Sequence, residues 1–143
     1  MSPRRAVRVI LVAGVLASCG TRKDLPLGPG DGGAPDPTAT FTRVQGEVFS
    51  VSCALAGCHT GAFPQAGMNL STGASYAAIV GVPSSERSGV LRIAPGDPEA
   101  SYMVQKLRGT PGIAGSQMPL TGSVTDAQVK LVVDWVRRGA PRD

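Results

Sequence analysis

Two cysteines and the chain's single histidine stand together in Cys53-Ala54-Leu55-Ala56-Gly57-Cys58-His59. Two thiols can add across the vinyl groups of a haem while the next residue, an imidazole, swings onto the iron; porphyrin edge and metal must both be reached from one short turn. The adjacency of Cys58 and His59 meets that demand, although four residues rather than two separate the thiols. The same residues admit other chemistry. Cys53 and Cys58 can close a small disulfide loop in an oxidising compartment, with His59 merely beside it. Two thiols and an imidazole also suit copper(I), whereas zinc would need a further ligand or an open position. A thiol oxidoreductase normally spaces its cysteines by two. No Gly-x-Ser-x-Gly nucleophile turn and no phosphate-cradling glycine loop after a strand occurs, so the chain is read as a carrier or binding domain, not an enzyme, with no small-molecule substrate.

The elements that must hold these residues are helical wherever a period is legible. Phe41, Val44, Val48 and Val51 follow the spacing of one buried stripe and predict a helix over about Thr40 to Ser52. Pro95-Gly96-Asp97-Pro98-Glu99 predicts a second start, with Asp97 as N-cap, Pro98 at the first helical position and Tyr102, Met103 and Leu107 facing inward. The last helix carries the fullest signature: Thr125 as cap, Gln128 closing a capping box, Val129, Val132, Val133 and Val136 on one face, and Gly139 with Pro141 at its end. A short helix fits within Ser71 to Val80. Gly109 to Ser123 reads as a long loop, and a loop of that length in a small domain usually touches something functional. The expected fold class is therefore all-α, a small helical domain with long loops and no sheet of consequence.

Composition limits what this domain can be. The chain has 143 residues, with 19 Gly, 12 Pro and only 4% aromatic residues, enough for one small domain. A mean hydropathy of +0.07 argues against wholesale disorder. The formal charge of +4 is misleading, because Arg4, Arg5 and Arg8 all precede residue 19. Without residues 1–18, Lys plus Arg falls from 14 to 11 against 10 Asp plus Glu, leaving +1, so nucleic-acid binding is not expected. Those arginines, the apolar run Val9 to Ala17 and the small Ser18 read as an export signal. Residues 19–37 form a Gly/Pro-rich linker that cannot bury enough to fold, and residues 38–143 form the domain.

Two resemblances sharpen this reading. Leu16-Ala17-Ser18-Cys19 resembles the lipobox of bacterial lipoproteins, which implies cleavage before Cys19, lipidation of its thiol and attachment to the periplasmic side of a membrane. Gly20 after that cysteine is similar to lipoproteins sorted to the outer membrane. Val48-Phe49 through Cys58-His59, then Gly67-Met68-Asn69-Leu70, Pro95 to Tyr102, Met118-Pro119, and Val132 to Ala140 resemble the bacterial cytochrome c domains of planctomycete and myxobacterial exported proteins. The blocks keep that family's order and span Phe41 to Pro141, and members with four residues between the cysteines likewise end in Gly-Cys-His.

The second resemblance implies a cytochrome c-like domain with one covalent haem c, Cys53 and Cys58 as thioether sulfurs, His59 as proximal and Met118 as distal iron ligand. Its function would be electron transfer to and from protein partners, with membrane contact through the Cys19 anchor. A non-haem, lipid-anchored interaction module with a Cys53–Cys58 disulfide is the alternative. Pro119 biases Met118 toward extended backbone, in keeping with a loop residue that leans over a cofactor. Met103 is expected as core, Met68 near the haem edge, and Trp135 as a core or haem-packing aromatic. Arg87, Arg92, Lys106 and Arg108 are cations of surface type with no assigned role.

Overall fold

The computed structural model describes residues 33–143; the export segment, Cys19 and most of the linker lie outside the described residues. Four α-helices frame the domain: α1 (Phe41–Val44), α2 (Ser75–Ile79), α3 (Tyr102–Arg108) and α4 (Asp126–Arg137). Among the described residues, strand pairing is confined to isolated bridges such as Val80 with Ile93 and Leu91 with Ser101. The domain is mostly α with long connections, as its sequence predicts. No helix among the described residues is long and apolar enough to cross a membrane.

α1 runs on without a break into a π-helix, Gln45–Cys53, closed where the Ala54 N–H donates to the Phe49 carbonyl at 2.8 Å. Bonds from i to i+5 widen the turn, so each residue advances about 80° rather than the roughly 100° of an α-helix. Counted from Val44, α winding would place Val51 on the inner face and Cys53 on the outer one. π winding reverses both. Val51 is accordingly 56% exposed, a correction to the expected stripe, while Phe49 is buried to 1% exposure in its stead. The exchange is favourable, because an aromatic ring buries more apolar surface than a valine. Val44 and Val48 are buried as expected, and Cys53 packs against the core.

α4 packs against both α1 and α3. Its capping box is formed: Gln128 N–H donates to Thr125 Oγ1 at 3.2 Å and Thr125 N–H to Gln128 Oε1 at 2.9 Å. Its four expected valines are buried, and Asp134, also buried, pairs with Lys130 on the same helix. Trp135 is enclosed by Phe41 at 5.5 Å and Tyr76 at 6.5 Å between ring centroids. Its indole N–H donates to the Pro141 carbonyl at 2.8 Å, and the Tyr76 hydroxyl to that of Ala140 at 2.9 Å, so this aromatic group fixes the C-terminal tail as well as filling the core.

The second helix starts later than the sequence predicts. Asp97 does cap a turn, accepting the Ala100 N–H at 2.9 Å, but Ser101 is extended (φ −90, ψ 110) and α3 begins only at Tyr102. Ser101 is fully buried and knotted into its surroundings: its hydroxyl donates to the Asp97 carbonyl at 2.7 Å and accepts the Ala94 N–H at 2.9 Å. Those bonds hold the residue off the helical path. The predicted inward face, Tyr102, Met103 and Leu107, is buried.

Candidate functional site

Cys53, Cys58, His59 and Met118 line one cavity of about 530 Å³, in the size range of small-molecule and cofactor sites. Met68 and Met103 line it too, so all the sulfur-bearing residues of the domain meet at one place. Phe49, Leu70 and Leu107 supply much of the apolar wall. Leu55 and Leu120 also belong to it and remain 40% and 70% exposed, giving the opening an apolar rim.

The π-helix delivers Cys53, and the turn after it delivers the other two. Cys58 N–H donates to Leu55 O at 2.9 Å and His59 N–H to Cys53 O at 3.2 Å, which folds the segment back so that both cysteines reach the same cavity. The thiols are free and unbonded to each other. Burial, with Cys58 nearby, pushes the Cys53 thiol up to about 11.

His59 Nδ1 lies 3.1 Å from the Gln65 carbonyl oxygen. A carbonyl can only accept, so Nδ1 carries the proton, and in the neutral ring Nε2 keeps its lone pair for a metal. A backbone carbonyl on the far nitrogen is the usual means of orienting a ligating imidazole. The histidine backbone is held as well, since Leu70 N–H donates to His59 O at 2.8 Å.

Met118 is carried by the long loop, and α3 grips that loop at several points. Met118 N–H donates to Lys106 O at 2.9 Å, and Gln117 Nε2 to Leu107 O at 2.8 Å. Ala114 is held from both sides: its N–H donates to Tyr102 Oη at 2.8 Å and its carbonyl accepts from Lys106 Nζ at 2.6 Å. Gly109 ends α3 in the left-handed region (φ +66), and a Cβ there would fall 2.7 Å from Gln117 Oε1, so only glycine lets the Gln117 side chain lie across the helix end.

Sequence reasoning did not find Gln65, Tyr102 or Lys106 in these roles. The last two stand four apart on α3, a spacing that puts them on one helix face and could have marked them. Of the four cations without an assigned role, Arg92 and Lys106 line the cavity. Arg87 instead donates to Gln105 at 2.8 Å, and Arg108 pairs with Glu99 at 2.6 Å. Trp135 belongs to the core and is not a cavity residue.

The donor set fits an iron porphyrin: two thiols for attachment, one oriented imidazole, thioethers, and a predominantly apolar chamber. Among the described residues no three His, Cys, Asp or Glu side chains converge into a group able to hold a bare metal ion. No family model, curated protein or solved structure matches the chain.

The displaced thiol equilibrium has a direct readout. Raising Cys53 from 9.0 to about 11 makes the folded chain keep a proton that the unfolded chain loses, so stability is undiminished below pH 9 and falls as pH climbs toward 11. At pH 8 the thiolate fraction should be roughly a hundredfold lower than in denaturant, and iodoacetamide should alkylate Cys53 in the haem-free folded chain more slowly by at least that factor. Peptide mapping after timed alkylation, with and without urea, measures the ratio.

Proposed function

We propose that this chain is a lipid-anchored c-type haem protein of the bacterial cytochrome c kind, acting in electron transfer outside the cytoplasm. The observation that carries the reading is the convergence of Cys53, Cys58, His59 and Met118 on one cavity, although they arrive from a π-helix, a turn and a distant loop. Haem bound there would supply an iron that alternates between the ferrous and ferric states. Cys53 and Cys58 would hold the haem through two thioethers, and because adding an S–H across a C=C is redox-neutral, that attachment would need no oxidant. His59 presents Nε2, its other nitrogen bound to Gln65. Met118 offers a thioether, which favours a higher reduction potential than a second imidazole. With His59 and Met118 both committed to holding the group, no position would remain for a substrate, and the domain would act as a carrier and not a catalyst. Anchorage rests on Cys19 and its preceding signal, with residues 20–37 as the tether to an outer-membrane surface.

Expression of the full chain with a haem c maturation system, followed by denaturation and a pyridine haemochrome spectrum, tests this. Colour that stays with the polypeptide is the expected result, and Met118→Ala should lose the near-red sulfur-to-iron band of the ferric form. A colourless chain with no titratable thiol at Cys53 and Cys58 would overturn the reading in favour of the disulfide-closed interaction module.

A further inference from the structure

The turn that accepts the His59 proton is itself under tension. Gln65–Gly67 forms a single 3-10 turn in which Ala66 sits at φ 54, ψ 22 and Gly67 at φ 61. Two successive left-handed residues are unusual, and for alanine the conformation is unfavourable because Cβ crowds the following carbonyl. Something outside the turn must hold it, and the contacts identify what does.

Arg92 Nη2 donates to the Ala66 carbonyl at 2.7 Å, and Nη1 to those of Gly67 at 3.3 Å and Ala78 at 2.8 Å. Ser85 Oγ adds a bond to Ala66 O at 3.1 Å. Among the described residues Arg92 forms no salt bridge, so its fork is committed to backbone carbonyls. By bonding Ala78 as well, Arg92 ties the strained turn to the end of α2. The guanidinium suits this task because it is planar and spreads several donors over a fixed fork, which a lysine ammonium cannot reproduce.

We propose that Arg92 is a positioning residue for His59: it locks the Gln65–Gly67 turn so that the Gln65 carbonyl stays aimed at Nδ1, keeping the imidazole in one tautomer with Nε2 free. Its use as a ligand-orienting device rests on the haem reading above, but the hydrogen-bond relay is a property of the polypeptide. Arg92 acts through two peptide units and is not itself a ligand.

Nitrogen NMR of the His59 ring in the full chain separates the two claims. The ring signals of the single histidine can be read whether the preparation carries haem or is colourless, so failure of the haem reading leaves this test intact. In the wild type, Nδ1 should be protonated and its proton protected from solvent. In Arg92→Gln, exchange of that proton should accelerate by at least roughly tenfold, the scale of one net hydrogen bond, relative to the backbone amide of Val132, buried in the middle of α4. Normalising to Val132 removes any general loss of stability. Arg92→Lys keeps the charge without the fork and should behave like Arg92→Gln; should the glutamine variant not fold, the lysine variant decides alone. Unchanged exchange in either folded variant, or a change that merely tracks Val132, would overturn the proposal.

Discussion

On the proposed haem reading, replacing His59 with alanine is expected to leave the chain almost without covalent haem. The loss should exceed roughly a hundredfold in haem per polypeptide, because removing only the outer partner of a metal ligand already costs about 10- to 100-fold in affinity. No substitute exists: His59 is the sole histidine, and the turn that supports it is built around its ring nitrogen. On that reading the thiols would not compensate, since no other metal-ligating side chain on the turn would hold a porphyrin in place beside them. Pyridine haemochrome absorbance divided by polypeptide concentration measures the effect, with immunoblotting to show that the apoprotein is exported. Haem retained at a tenth or more of the wild-type level would remove His59 from the role assigned to it.

The second large effect concerns stability. Trp135→Ala should destabilise the domain by about 3 to 5 kcal/mol, a large share of the roughly 5 to 15 kcal/mol typical of a folded domain. The indole is wholly buried, packs against Phe41 and Tyr76, and donates to Pro141 O. Alanine leaves a cavity between α4 and α1 and an unpartnered carbonyl in the tail. Trp135→Phe retains a ring but not the donor, and should cost less than half as much. Urea unfolding followed by far-ultraviolet circular dichroism is the suitable probe, because Trp135 is the only tryptophan and fluorescence vanishes with it.

Much of this architecture can be read from the chain because local signals there agree with the tertiary outcome. α4 has a cap, a capping box, an apolar face and a glycine stop that all favour one helix, and it forms with the expected bounds. The loop around Met118 is legible for the opposite reason: its glycines and prolines forbid an element, and its length implied contact with a site. The π-helix was hidden. Residue types in Gln45–Cys53 suit either winding, and what separates the two registers is the gain from burying Phe49 in place of Val51, a matter of tertiary packing. The late start of α3 was hidden for a similar reason, since Ser101 is held back by partners at Ala94 and Asp97.

The site divides in the same manner. Cys53, Cys58 and His59 announce themselves by rarity and spacing, Met118 only by the Met118-Pro119 pair that carries the family resemblance, and the structure brings all four to one cavity. Their supporting bonds run largely to backbone atoms: Gln65 O for the imidazole, Lys106 O for the Met118 amide, and three carbonyls for Arg92. A main-chain acceptor has no residue type, so no sequence pattern marks it.

The buried thiol at Cys53 also bears on the order of biogenesis. With its proton held to about 11, the finished domain presents about one thiolate in ten thousand molecules at pH 7. A nascent, still open chain suffers no such handicap. On the proposed reading, sulfur–carbon bond formation therefore belongs to the interval between translocation and collapse, and a chain that closes too early is stranded without its prosthetic group.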